Sequence, residues 1–438
     1  MLSLFGSILL TASVQYFNDT PRANLPVSLF AAISTPTLAL EPVGSDFALD
    51  PTAAEVVKTL LLDLKASGYS ELDQGVWIQT NSGALLATHQ GTRPLPAASL
   101  TKLATTLAAL STWEPDFQVV TIASTRGEIV GNTLQGDLIV QGSGDPVFVW
   151  EEAIAMANAL NRLGIQRVQG NLIVTGFFAM NFETDPQKSA NLLQRAFDSA
   201  NWDDEILKQY AKLPQGTPKP RIAIAGATRY ELSIPSTSAT KELVRHSSVP
   251  LRRMLQLMNI YSNNTIAEML ATSMGGREVV IQKASSAAGI SPEQIRLING
   301  SGLGQQNQIS PQAAVAILIA LQNRARSLNL TLADLLPVSD CKCGTIDIRH
   351  LPPGALVKTG TLSDVSALAG MLPTRDRGPI WFAIINRGEG DIETFHNAQD
   401  RLLRSLNQKW GGPNALLTNS FTSRPWQDTN RDRLMLER

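Results

Sequence analysis

The sequence predicts an α/β (α+β) protein in which the two ends of the chain build one unit and a mainly β segment interrupts it. Three observations lead there. Helix-spaced and strand-like apolar runs alternate before residue 119 and again after residue 243. Between them, short β-like runs separated by turns dominate. Three short polar motifs, one before the interruption and two after it, make chemical sense only if the outer parts fold together. At 438 residues the chain can bury a large core and divide into domains.

Each element follows in order. Residues 1–40 hold two apolar stretches. Met1 to Ala12 lacks a basic leader; Leu25 to Ile33 follows Arg22 and ends near Thr37-Leu38-Ala39, a signal-like order that predicts export. Thr52 to Ser67 spaces Val56, Leu60, Leu61 and Leu64 as one helical face. Gln74 to Gln90 reads as a hairpin turning at Asn81-Ser82-Gly83. A buried helix starts at Ser99, after Pro94 and Pro96, with Leu100, Leu103, Ala104, Leu107 and Leu110 at helical spacing. Residues 44–118 and 244–412 are expected to form the chemical unit, and residues 119–243 the inserted domain. Inside the insertion, Gly136 to Val140 and Gly170 to Val174 read as strands flanking a helix, Glu151 to Leu163. Asp185 to Thr217 is polar and poorly patterned, and reads as a surface excursion. Helices follow at Leu251 to Ile260 and Thr265 to Thr272, strand-like runs at Gly354 to Val357, Val365 to Met371 and Ile380 to Ile385, and a closing helix at Ile392 to Leu406. The tail, 413–438, has little to bury and reads as largely disordered.

Bulk chemistry excludes several function classes. A formal net charge of −1 and scattered Lys and Arg argue against nucleic acid as a partner. The 4 histidines form no H-E-x-x-H or other close pair, so a zinc hydrolase is not expected. No G-x-S-x-G elbow occurs; Gly142-Ser143-Gly144 and Gly300-Ser301-Gly302 have the wrong spacing. The 2 cysteines, Cys341 and Cys343, are too few for a disulfide framework or metal cage, and a bridge across one residue is strained, so free or labile thiols are expected.

The motifs carry the chemistry. In Ser99-Leu100-Thr101-Lys102 the lysine is the only charge between Ala97 and Trp113. Residues three apart share one side of a helix, and a buried amine loses solvation of its charged form, so it can act as a base for the neighbouring hydroxyl. Alone, the tetrapeptide also fits a capping Ser and a Lys that reaches water. Ser262-Asn263-Asn264 lies between two helices, where Thr265 and Glu268 also form a capping-box pattern. Lys358-Thr359-Gly360 ends a strand-like run and also fits a plain strand end with a turn glycine. In this order, S-x-x-K, S-x-N and K-T-G match the set used by serine acyl-transfer enzymes of the β-lactamase and penicillin-binding-protein kind.

With those residues in place, the chain resembles the class C low-molecular-mass penicillin-binding proteins, the D-alanyl-D-alanine carboxypeptidase/endopeptidases. The likeness runs from Asp73-Gln74-Gly75 to Gly412 and includes Gly142 to Pro146, Asn299 to Leu303 and Lys358 to Gly370. It implies an antiparallel five-stranded sheet flanked by helices, with an inserted domain after the nucleophile helix. It implies peptidoglycan stem peptides ending in D-Ala-D-Ala as substrate and β-lactams as inhibitors that acylate Ser99. By the same resemblance Lys102 is the base, Ser262 the proton relay and Asn264 the holder of the substrate amide. Lys358 and Thr359 bind the terminal carboxylate, Gly360 leaves room at the strand, and the N–H groups of Ser99 and Thr361 form the oxyanion hole. Asp145 matches an acidic position that contacts the amine of the peptide's third residue; it also fits a turn before Pro146. No metal or other cofactor is implied. The stretch from Lys102 to Ser262 is shorter than in members with a third domain. Asn299 stands where the family often has Asp, and Gly304-Gln305 where it has Ser-Arg. The expected location is the periplasmic or cell-wall side, with peripheral membrane association open. Two alternatives remain: a β-lactamase or esterase on the same scaffold, and a non-catalytic wall-binding homologue.

Overall fold

Asp50 sets the first element. Its carboxylate accepts the N–H groups of Thr52 and Ala53, Pro51 fills the first turn, and α1 runs Pro51–Ala66. The structure, a computed structural model, describes residues 49–233, 240–413 and 431–435. The signal-like stretch of residues 1–40 therefore lies outside the described residues. The predicted hairpin is β1 (Gln74–Thr80) and β2 (Leu85–His89), and the buried helix is α2 (Thr101–Leu110).

The middle segment holds β3 (Val120–Thr125), β4 (Leu138–Ser143), α3 (Trp150–Arg162), β5 (Leu172–Phe177), α4 (Pro186–Phe197), α5 (Asp204–Tyr210), β6 (Thr228–Glu231) and β7 (Lys241–Ser247). The chain then returns through α6 (Leu251–Ile260), α7 (Asn264–Met274), α8 (Arg277–Ala288) and α9 (Pro311–Ser327). It finishes with β8 (Leu356–Leu362), β9 (Val365–Thr374), β10 (Gly378–Arg387), α10 (Ile392–Trp410) and β11 (Asp432–Leu434). Among the described residues no helix is long and apolar enough to cross a membrane.

The outer parts form the antiparallel five-stranded sheet, in the order β8-β9-β10-β1-β2. Strand periodicity explains its two layers of helices. Trp77, Ala367, Ala369, Met371, Trp381, Ala383 and Ile385 point to one face and pack with α2, α6, α7, α8 and α9. Val76, Ile78, Leu368, Leu372, Ile380, Phe382 and Ile384 point to the other and pack with α1 and α10. Every residue of α2 is buried, so this helix is the centre of its layer.

The middle segment has its own apolar cluster and a six-stranded sheet, β6-β5-β4-β3-β7-β11. Pairs β4–β5 and β5–β6 are parallel. A parallel pair needs a long crossover, which α3 supplies for the first and α4 with α5 for the second. The same segment carries a second, four-stranded sheet of short strands, so its described strands outnumber its three α-helices. Asp185 to Thr217 is no plain excursion. Asp185 caps α4, and Leu193 and Phe197 are buried beneath it.

Two further expectations are corrected. Residues 431–435 of the tail are ordered, β11 pairing with the free edge of β7, whereas residues 414–430 and 436–438 lie outside the described residues. An edge strand offers unpaired N–H and C=O groups, so another strand can add without a large apolar face. Buried ion pairs help, Asp432 to His246 and Arg431 to Glu152. Cys341 and Cys343 are not free thiols but a disulfide, with their Cα atoms 5.2 Å apart, inside the ordinary range for a bridge.

Candidate active site

Ser99 and Lys102 meet through backbone geometry. Ala98–Leu100 is a 3-10 turn ahead of α2, and in such a turn side chains three residues apart eclipse. Ser99 thus lies one turn before the α-helix proper, with Lys102 stacked on it. Ala98 holds a left-handed φ of 46°, uncommon for a residue with a side chain, and its surroundings pin it. Gly302 is pressed so closely on the Ala98 carbonyl that a Cβ there would lie 1.9 Å from the oxygen. Lys102 Nζ lies 2.9 Å from Ser99 Oγ, 2.8 Å from Asn264 Oδ1 and 2.7 Å from the Ser301 carbonyl oxygen. Burial pushes its pKa well below the usual lysine range, the charge of Lys358 adds to that, and Glu268 opposes it.

Ser262 also has a left-handed φ, 53°. The residue after it, Asn263, caps α7 by accepting the Ile266 N–H at 2.9 Å, which places Asn264 at the helix start. The capping box read at Thr265 and Glu268 is not formed. The Glu268 carboxylate instead accepts the N–H groups of Gly300 (3.1 Å) and Ser301 (2.9 Å). Thr105 donates to the Gly300 carbonyl at 2.7 Å, and the Asn299 side chain bridges Gly302 N and Leu303 O. The loop Asn299–Leu303 is therefore a cradle that presents the Ser301 carbonyl to Lys102.

Lys358 and Gly360 alternate onto the α2 side of β8, the edge strand of the sheet. Lys358 is fully buried; its Nζ donates to Ser262 Oγ at 3.0 Å and to the Thr359 carbonyl at 2.7 Å. Burial lowers its pKa to about 7. Gly360 is needed for contact: a Cβ there would be 2.8 Å from the Ala97 carbonyl and 3.0 Å from Ser99 N. Thr359 and Thr345 share a 2.6 Å hydroxyl–hydroxyl hydrogen bond. Thr361 is exposed beside them. The structure thus joins Ser99, Lys102 and Asn264 in one hydrogen-bonded group and Ser262 with Lys358 in another.

Asp145 stands apart. Its Oδ1 accepts the Val147 N–H at 2.9 Å, the bond of a turn before Pro146, while its buried Oδ2 has no hydrogen-bond partner among the described residues. Burial raises its pKa, opposed by the Val147 bond and the charges of His246 and Arg431. No hydrogen bond links it to the five motif side chains.

The sequence profile of the D-Ala-D-Ala carboxypeptidase 3 (S13) family matches residues 63–195 and 224–409. The chain belongs to that family. It is a serine D-Ala-D-Ala carboxypeptidase, a hydrolase. Among relatives, a carboxypeptidase of Mycobacterium tuberculosis is 24% identical over 354 residues, covering 72% of this chain and 75% of that one. D-alanyl-D-alanine carboxypeptidase DacB of Haemophilus influenzae is 21% identical and covers 72% and 85%. Among solved structures, the penicillin G-acylated predatory endopeptidase of Bdellovibrio bacteriovorus superposes with a TM-score of 0.67 at 21% identity, covering 80% of this chain and 95% of that one. That last likeness is one of fold.

In this S13 carboxypeptidase several supporting residues escaped the sequence reading. Glu268 read as a capping residue, and its partners lie some thirty positions away. Thr105 and Thr345 carried no signal at all. In Asn299–Leu303 the glycines are the sequence signal of the cradle, since Gly300 and Gly302 both sit where a Cβ would collide with backbone.

Proposed function

We propose that this S13 carboxypeptidase cleaves the D-Ala-D-Ala end of peptidoglycan stem peptides through an acyl-enzyme on Ser99, and that β-lactams acylate the same hydroxyl. One observation carries the reading: a buried, charge-disfavouring Lys102 amine 2.9 Å from Ser99 Oγ. The neutral amine takes the Ser99 proton as Oγ attacks the penultimate carbonyl. The N–H groups of Ser99 and Thr361 receive the oxyanion, and the contact of Gly360 with the Ser99 backbone supports that placement. Ser262 passes a proton to the leaving D-alanine amine. Lys358, bonded to Ser262, and Thr359 receive the terminal carboxylate. Asn264, held by Lys102, faces the substrate amide. Water, activated by the same base, then releases the shortened peptide.

Asp145 would contact the distal part of the stem peptide through its unpaired Oδ2, while Oδ1 keeps its turn. Residues 119–243 would act as an inserted domain that shapes access, and the separate apolar cluster of that segment supports this. The signal-like order of residues 1–40 and a cell-wall substrate support a location on the periplasmic or cell-wall side.

Intact-mass spectrometry after incubation with benzylpenicillin tests the reading. A durable adduct on Ser99, lost in Ser99→Ala, is expected. Fast turnover would favour a β-lactamase, and no adduct on folded protein would favour a non-catalytic homologue.

A further inference from the structure

The disulfide belongs to a loop that touches both arms of the site. The loop leaves α9 and runs beside the edge strand β8. Val338 bridges Leu356, Ser339 N donates to the Ala355 carbonyl at 2.8 Å, and Ser339 Oγ donates to the Pro352 carbonyl at 2.7 Å. It then turns through Cys341-Lys342-Cys343, with Lys342 in the left-handed region at φ 44°. The next residue, Gly344, also left-handed at φ 58°, is wedged against the end of α6; a Cβ would lie 2.0 Å from the Ile260 carbonyl. Ile260 is two residues before Ser262. Thr345, directly after the wedge, makes the 2.6 Å hydroxyl contact with Thr359. Cys341 is exposed, so a reductant can reach the bridge.

We propose that the Cys341–Cys343 disulfide is a positioning clamp for catalysis: it shapes the turn that seats Gly344 against Ile260 and aims Thr345 at Thr359. The inference rests on the reading of Ser99 and Thr359 given above. A bridge that encloses one residue removes little chain entropy from the unfolded state, because loop-closure entropy grows with loop length. Its effect is therefore local geometry rather than global stability. Reduction by a dithiol is balanced. A thiolate attacks one Sγ, the S–S bond breaks, and the other cysteine leaves as a thiolate. The second thiolate of the reductant then attacks the mixed disulfide and carries away the reductant as its own disulfide. Two electrons pass to the protein, and both cysteines take protons from water. Reverse exchange with the oxidised dithiol restores the bridge.

The readout is selective for carboxylate-bearing acyl donors, because Thr345 acts through Thr359. Benzylpenicillin and its neutral methyl ester are compared on oxidised wild type, on dithiothreitol-treated wild type, and on the Cys341→Ser/Cys343→Ser double variant. The expected loss is about tenfold in acylation by the free acid, the scale of one misaligned charge-assisted hydrogen bond, with the ester changed less than about twofold. Dithiothreitol leaves the double variant unmoved, and the melting temperature shifts by less than about 2 °C. Thr345→Val reproduces the selective loss and Thr345→Ser restores it. Unchanged acylation by the acid after reduction overturns the clamp. So does an equal loss toward both compounds with a lowered melting temperature, which marks a merely structural bridge. Failure of the oxidised wild type to acylate at all overturns the reading of Ser99, and the clamp with it.

Discussion

Replacing Gly302 with Ala tests whether the nucleophile turn is held by backbone-to-backbone contact. Two effects separate in size. Gly302 has φ +86°, which costs a residue with a Cβ about 1 kcal/mol. The new Cβ would also lie 1.9 Å from the Ala98 carbonyl oxygen and 2.8 Å from Thr101 Oγ1. An ordinary carbon–oxygen contact is about 3.3 Å, so the backbone at Ala98 or Gly302 must retreat by more than about 1 Å. Ser99 follows Ala98 directly, and a displacement of about 1 Å at a reacting group costs about 10²-fold in rate. Gly68 supplies the control. It has nearly the same φ, +91°, with nothing within 4 Å of the built Cβ. Gly68→Ala should lose about 1 kcal/mol of stability and keep wild-type acylation. Gly302→Ala should lose about 10²-fold in the second-order rate of acylation by benzylpenicillin, followed by stopped-flow or quenched intact mass, with a native circular-dichroism spectrum. An acylation rate within about threefold of wild type in folded Gly302→Ala would refute the argument that this contact fixes Ser99.

The remaining expectations concern charge and remote contacts. Lys102→Arg should fold but acylate at least about 10³-fold more slowly, because guanidinium stays protonated; near-normal acylation would move the base elsewhere. The pH profile of kcat/KM should fall as pH rises through about 7, because Lys358 loses its charge there and with it the attraction for the substrate carboxylate. Protonation of Lys102, whose pKa burial depresses, should remove activity as pH falls; Lys358→Gln should abolish the limb near 7, and a limb that persists there would assign it to another group. Asp145→Ala should slow peptide hydrolysis more than penicillin acylation, since only the peptide carries the distal group, whereas equal losses would leave Asp145 with its turn alone. Asp400→Ala should destabilise the protein by about 3–5 kcal/mol, measured by denaturant melts, because it strands the buried Arg349 that it now meets at 2.6 Å; a loss below about 1 kcal/mol would mean that water reaches that pair.

Much of the fold and the reacting groups was legible because it is written in local patterns. Alternation in Val76-Trp77-Ile78 and Ile380 to Ile385 assigns residues to two sheet faces, and the three-residue spacing of Ser99 and Lys102 puts hydroxyl and amine on one side of the helix start. The order of the three motifs required the ends of the chain to meet, and the five-stranded sheet joins them. What remained hidden depends on contacts between distant residues. Glu268 looks like a capping side chain until the fold brings Gly300 and Ser301 to it. Residues 431–435 look to have little to bury until β7 offers them an edge. A bridge from Cys341 to Cys343 looks strained in sequence, yet the turn between them, packed at Gly344 against Ile260, brings the two sulfurs together. Sequence by itself determined which groups could do acyl transfer, because reactivity follows residue type and short-range spacing. Only the tertiary structure decided what holds them, because the burial that depresses Lys102 and Lys358, and the close backbone approaches at Gly302, Gly344 and Gly360, exist only once segments far apart in the chain have packed.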